Sequence, residues 1–217
     1  MDKLAMVKSM SESYKFTACS SQELINKSKA LRHLIYCEEK MWEPSKTTLM
    51  ESDEYDDVSI HYIVSCRKTK RDVATFRLII SNNLPITKYI SVGNILHPKE
   101  MPLNSVCEIS RFSILKEYRG SELLKMLFLL AGYETAKNGL LGAYMSIENK
   151  LAIRLKRCKI TCQKITDDFL LNGSRAIYYC STAEVIGSIR PLVGFEKKAL
   201  NEFFQPIFQD NKDREFT

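Results

Sequence analysis

The sequence predicts an α/β fold in a single domain, and three observations carry that reading. Residues 106–115 alternate like a strand, then run through a basic, glycine-containing turn into a helical segment. Two β-rich runs, 60–66 and 73–80, are joined by a short basic turn and read as an antiparallel hairpin. At 217 residues with 45% apolar content, the chain is long enough and apolar enough for one real core. One unit over residues 1–217 is expected, with core motifs in about 25–180 and a loosely patterned C-terminal extension past about Val193.

The elements follow in order. Ser20 or Ser21 can cap a first helix that runs to about Glu39, with Leu24, Leu31, Leu34 and Ile35 on its apolar face. An acidic loop at 53–57 precedes the hairpin, whose turn is the basic run 67–71. Residues 81–104 contain Pro85, Pro98 and Pro102 and read as an extended connection with a short helix near 88–96. Strand 106–115 follows, then a helix over 122–138 with Ser121 as its N-cap and Gly139 just past its end. A strand at 141–147, a helix at 149–158 and strands at 160–165 and 175–180 complete the pattern, and 210–217 is a polar tail.

Composition narrows the function classes. The net charge of +6 gathers at 67–71, which reads first as a solvated hairpin tip, and at Arg154, Lys156, Arg157 and Lys159; either group also suits an acidic partner. No zinc finger, RNP motif or aromatic–basic stripe points to nucleic acid, and none is expected as a partner. Seven cysteines without a CxxC pair and three scattered histidines argue against a metal site, and read as reduced thiols of a cytoplasmic protein. The most apolar stretch, 123–133, is interrupted by Lys125 and is too short to span a bilayer.

The chemistry concentrates at 106–121. Strict alternation puts Glu108, Ser110 and Phe112 on one face and Ile109, Arg111 and Ser113 on the other. Charges in mid-strand need a partner or a wet cleft, so Glu108 and Arg111 are either site residues or a structural ion-pair set with Arg77. The turn at 118–120 and the following helix start aim backbone N–H groups outward, as a pyrophosphate or phosphopantetheine site requires, with Arg119, Gly120 and Ser121 as its residues. Helix 122–138 is apolar over most of its circumference, which favours a core role over lining a cavity.

The order of elements resembles the GNAT acyltransferase fold, which implies a central mixed, mostly antiparallel sheet flanked by helices. Within it, the residues resemble the autoinducer-synthase branch: Arg32 followed by Tyr36 and Trp42, the cluster from Glu51 through Asp53 and Tyr55 to Asp56, His61, Arg77-Leu78, and Glu108-Ile-Ser110-Arg111-Phe112, over roughly residues 25–120. LuxI-type acyl-homoserine-lactone synthases share this set. So do the long-chain N-acyl amino acid synthases of the FeeM type and the exosortase-associated acyltransferases, to which residues 35–39 and 56–61 look more similar. The segment 156–159 lacks the glycine expected at a LuxI-type helix end.

The resemblance implies attack by an amino acid's amine on an acyl thioester of acyl carrier protein, giving a long-chain N-acyl amino acid, tyrosine being one fitting amine. Such a thioester is already activated, so the enzyme needs to position, deprotonate and stabilise an oxyanion. Glu108 is the expected general base, with Asp53 next, and Arg77 and Arg111 complete the catalytic set. Arg32, Trp42, Asp56, Ser110 and Phe112 are the implied substrate side, although Trp42 also reads as a core anchor. Arg119, Gly120 and Ser121, with Arg154 and Arg157, are the implied carrier and phosphopantetheine contacts. No tightly bound cofactor is expected, and Cys107 is not needed as a nucleophile. The competing readings are an acyl-homoserine-lactone synthase using S-adenosylmethionine and a non-enzymatic acyl or carrier-protein binding regulator.

Overall fold

In the computed structural model, which describes residues 9, 11–89, 103–187 and 204–205, the first strand is β1 (Tyr14–Ala18), directly preceded by helical residues at 11–13. The sequence gives no warning of it: five residues carry little periodic signal, and what holds them is their pairing with the next strand. Helix α1 (Gln22–His33) starts at Ser21, whose hydroxyl accepts from the Leu24 N–H, and runs on as a π-helical turn to Glu39. The hairpin is β2 (Ser59–Cys66) and β3 (Asp72–Ile79), followed by a 3-10 turn at Pro85–Tyr89. Most of the short helix expected at 88–96, and the tail at 210–217, lie outside the described residues.

The central strand β4 (Val106–Ile114) leads through a 3-10 turn into α2 (Ser121–Lys137). Gly120, not Ser121, is the N-cap residue, so the helix begins one residue earlier than the sequence suggests. Then follow β5 (Gly142–Glu148), α3 (Asn149–Arg157), the short strands β6 (Gln163–Lys164) and β7 (Phe169–Leu170), β8 (Ser174–Ser181) and α4 (Thr182–Gly187). All form one eight-stranded sheet in the order β1-β2-β3-β4-β5-β8-β6, with β7 also on β8. Every pairing is antiparallel except β4 with β5. The mixed, mostly antiparallel sheet flanked by helices is therefore present.

Two features of β4 create the site. Its parallel pairing with β5 ends after Glu108 meets Tyr144, so beyond that point the two strands part. The second feature is a bulge: Arg111 has φ of 50°, and the register with β3 slips between Thr75 and Arg77. An extra residue in one strand flips every later side chain. Phe112 thus joins the Ile109 face and stacks between Phe76 and Phe128, with ring centroids 6.1 and 4.4 Å away, while Arg111 stays with Glu108 and Ser110. Strict alternation predicts the reverse for both residues.

Helix α2 covers the face that carries Tyr62, Phe76, Cys107 and Ile109, with Met126, Leu127 and Leu130 fully buried and the Tyr62 hydroxyl donating to Glu134 at 2.8 Å. Its core role is as expected, each fully buried aliphatic side chain contributing on the order of 2 kcal/mol. Helix α1 lies on the other face, where the Ser28 and Thr75 hydroxyls are hydrogen-bonded at 2.7 Å. That face also carries Arg77, Glu108 and Tyr144, partly covered by Leu84 and Ile86.

Candidate functional site

Where β4 and β5 part, a cleft of about 550 Å³ opens. Its inner end is formed by Arg77, Glu108, Ser110 and Arg111, one wall by Tyr36, Trp42 and Glu43, and the other by Ser146, Leu151, Arg154 and Arg175.

The charged residues of the inner end form a closed lattice. Arg77 donates to both oxygens of Asp53 at 2.6 Å, to Asp56 at 2.5 Å and to the Ser110 hydroxyl at 2.9 Å. Arg111 donates to Asp53 at 3.0 Å and to Glu51 at 3.1 Å, and its guanidinium lies 5.4 Å from the Tyr36 ring centre. Arg32, wholly buried, is bound to Glu51 and to Asp56, the latter at 2.7 Å. Buried charges survive only when paired and hydrogen-bonded, and each of these is.

This arrangement corrects part of the sequence-derived assignment. Arg32 and Asp56 do not line the cleft; the Arg32 guanidinium is spent on carboxylates, so both residues brace the site from behind. Asp53 does line it, but its engagement by Arg77 and Arg111 makes it a weaker base than a free carboxylate. Burial pushes its carboxyl up, yet Arg77 and Arg111 more than offset this and hold it below the usual carboxylate range. Glu51, which the sequence shows only as part of the acidic cluster, is the missing link that joins Arg32 to Arg111.

Glu108 stands apart from the lattice. Its carboxylate accepts the Ile86 N–H at 2.8 Å, and among the described residues no guanidinium is hydrogen-bonded to it. At 6% exposure, burial pushes its pKa up to about 7, with the Ile86 bond and the two arginines opposing the rise. An acid of that strength exchanges protons readily near neutral pH. Cys107, on the opposite face, is buried and pushed up to about 12. It is a poor nucleophile.

The walls add aromatic and basic groups. Trp42 is not a core anchor. Its ring meets Tyr36 edge-on at 5.5 Å and lies 4.8 Å from the Arg175 guanidinium, a partner that sequence alone gives no reason to single out. Ser146 follows Tyr144 on the Glu108 face, and its buried hydroxyl oxygen has no hydrogen-bond partner among the described residues. It too is invisible in the sequence, since a serine in a strand carries no distinguishing signal.

A second pocket of about 140 Å³ sits at the start of α2, lined by Phe112, Arg119, Gly120, Leu124 and Arg154. It coincides with the anion-binding turn expected there. Arg119, however, is engaged: it donates to the Ile114 carbonyl at 2.8 Å and to both Glu39 oxygens at 2.6 and 2.5 Å. Arg154 is the exposed cation shared by both pockets, and no ion pair occupies it among the described residues. Arg157 is exposed on α3 but lines neither pocket.

Comparison with known proteins agrees with the architecture. Residues 31–129 match the family described as "Acetyltransferase (GNAT) domain". The chain is 27% identical over 147 residues to an acyl-homoserine-lactone synthase of Aliivibrio fischeri, covering 64% of this chain and 74% of that protein. It is 23% identical over 155 residues to one of Vibrio anguillarum, covering 68% and 80%. Among solved structures it superposes on TofI, in a ternary complex with an inhibitor and MTA, with TM-score 0.65, 14% identity and coverage of 82% and 96%. It also superposes on the CoA-dependent acyl-homoserine lactone synthase BjaI, with SAM and isopentyl-CoA, with TM-score 0.62, 16% identity and coverage of 90% and 89%. Residues 31–129 thus match a GNAT acetyltransferase domain, and the fold of the chain is one that solved acyl-homoserine-lactone synthases share.

Proposed function

We propose that this protein is an N-acyltransferase that joins an acyl group from a pantetheine thioester to the α-amine of an amino-acid group, in the manner of an acyl-homoserine-lactone synthase. One observation carries the reading: Glu108, a buried carboxyl with a pKa of about 7, lies at the inner end of the cleft between the parted strands. Ionised Glu108 takes a proton from the substrate ammonium, directly or through water. The freed amine attacks the thioester carbonyl, and the tetrahedral intermediate expels the carrier thiol.

The Asp53–Arg77–Arg111 lattice holds the inner end rigid while Ser110 is fixed by Arg77. Trp42, Tyr36 and the acidic Glu43 and Glu54 form a wall suited to an amine donor bearing a further positive charge, because aromatic faces and carboxylates both attract cations. S-adenosylmethionine, with its sulfonium, fits that wall. The likeness to BjaI, whose structure holds SAM, supports the same amine. Acyl carrier protein is the proposed donor protein, since α3 presents Lys150, Arg154, Lys156 and Arg157 without an acidic residue, and Arg154 reaches the pocket at the α2 start. The second reading keeps the chemistry and uses a free amino acid. The likeness of residues 35–39 and 56–61 to N-acyl amino acid synthases favours it.

The test follows thiol release and product mass with acyl carrier protein and coenzyme A thioesters of several chain lengths. S-adenosylmethionine-dependent release, with an acyl-homoserine lactone and methylthioadenosine, supports the first reading. Release with a free amino acid and formation of its N-acyl amide supports the second. No release with any amine, despite measurable binding of the thioester, would sink the acyltransferase reading and leave an acyl or carrier-binding regulator.

A further inference from the structure

Away from the inner end of the cleft, two thiols face each other near the edge of the sheet. Gln163 pairs with Tyr179 and Lys164 with Tyr178, so the antiparallel register brings Cys162 opposite Cys180. Their sulfur atoms are 3.1 Å apart, and the Cys180 thiol also lies 3.2 Å from the Thr161 carbonyl oxygen. Directly opposed residues of antiparallel strands approach closely enough at Cβ for a disulfide to form with little backbone movement. All seven cysteines are free, and among the described residues the other five have no thiol in hydrogen-bonding contact.

We propose that Cys162 and Cys180 form a redox-active dithiol that a hydroperoxide converts to a cross-strand disulfide. Cys162, half-buried, is the accessible partner; Cys180, 5% exposed, sits behind it. The Cys162 thiolate attacks the peroxide oxygen and breaks the O–O bond, giving a sulfenic acid and an alcohol or water. The Cys180 sulfur then attacks the sulfenic sulfur and expels water. Two thiols lose two electrons and the peroxide gains them, so disulfide, alcohol and water balance the step.

The bond closes the segment that carries the outer wall of the cleft. Between the two cysteines lie Leu171, Asn172 and Arg175, all lining residues. Asn172 donates to the Trp42 carbonyl at 3.4 Å and Arg175 covers the Trp42 ring, so this segment touches the opposite wall. In the reduced protein, β6 is held by only two residue pairs. Oxidation therefore ties the base of this segment covalently to β8.

The test treats the whole reduced protein with hydrogen peroxide, alkylates free thiols and maps peptides by mass spectrometry. The expected product is a Cys162–Cys180 crosslinked peptide that has lost the mass of two hydrogens and is restored by a dithiol. A rise in Tm of roughly 5–10 °C should accompany it, from closing a loop of this length in a chain of this size. Cys162→Ser and Cys180→Ser should each lack both the crosslink and the Tm rise. Peroxide treatment that leaves both thiols alkylatable, or takes Cys162 to a sulfinic acid with Cys180 still free, overturns the proposal. So does a crosslink to a different cysteine. None of these outcomes depends on the acyltransferase reading.

Discussion

Replacing Glu108 by Gln removes one charge and little volume, and its consequences can be worked from burial alone. Glu108 ordinarily titrates near 4.5 but in the folded protein does so at about 7. The sign follows directly: between these values the unfolded chain has released the proton while the native state retains it, so native stability falls as pH rises through that window. At about 1.4 kcal/mol per pH unit, the native protein carries a penalty of roughly 3 kcal/mol above pH 7 that the glutamine variant does not. The substituted amide can still accept the Ile86 N–H through its carbonyl oxygen, so little else changes. Urea unfolding from pH 4 to 8.5 should show the two proteins equally stable at the acid end. The variant should draw ahead by roughly 3 kcal/mol near pH 8, or about 6–12 °C in Tm for a chain of this size. Turnover should fall by about two orders of magnitude, and the wild-type kcat/KM should rise through an apparent pKa near 7. A gap in stability that does not vary with pH, or a variant less stable throughout, would refute the argument that Glu108 is held protonated by burial.

The remaining predictions concern its neighbours. Arg77→Ala should cost about 3–5 kcal/mol, because buried Asp56 and half-buried Asp53 would lose their shared cation; equilibrium unfolding measures this, and a loss below about 1 kcal/mol would contradict the lattice. Ser146→Ala removes a buried hydroxyl that has no partner among the described residues, so stability should hold or rise slightly; with that hydroxyl free to donate to a thioester in the cleft, kcat/KM for the acyl donor should drop about 10-fold. Unchanged kinetics would reduce Ser146 to packing. Arg154→Ala should raise KM for the acyl carrier thioester about 10-fold, most at low salt, whereas Arg119→Ala should mainly cost about 1 kcal/mol of stability through its bonds to Glu39 and the Ile114 carbonyl. The reverse ranking in kinetics would restore Arg119 as the phosphate contact.

Elements with local causes were legible in the chain itself. Ser21 caps α1 because a hydroxyl three residues before an N–H can reach it, and the hairpin follows from two β-rich runs about a short turn. Helix α2 was legible because its residues are apolar nearly all round, which in a folded domain means burial. The importance of Glu108, Arg111 and Arg77 was readable because charges inside strands are costly. Their roles were not. That Arg77 binds Asp53 and leaves Glu108 alone depends on which loop lies over the sheet, and Arg77 and Asp53 are 24 positions apart. The bulge at Arg111 reversed the facing of Phe112, and a single extra residue in a ladder leaves no mark in a pattern of period two. That Arg119 is engaged could not be read from the chain because Glu39, its partner, is 80 residues away. Glu51, Ser146 and Arg175 acquired their places only when distant strands and loops met, since pairing partners and solvent exclusion are properties of the assembled sheet and not of any local run of residues.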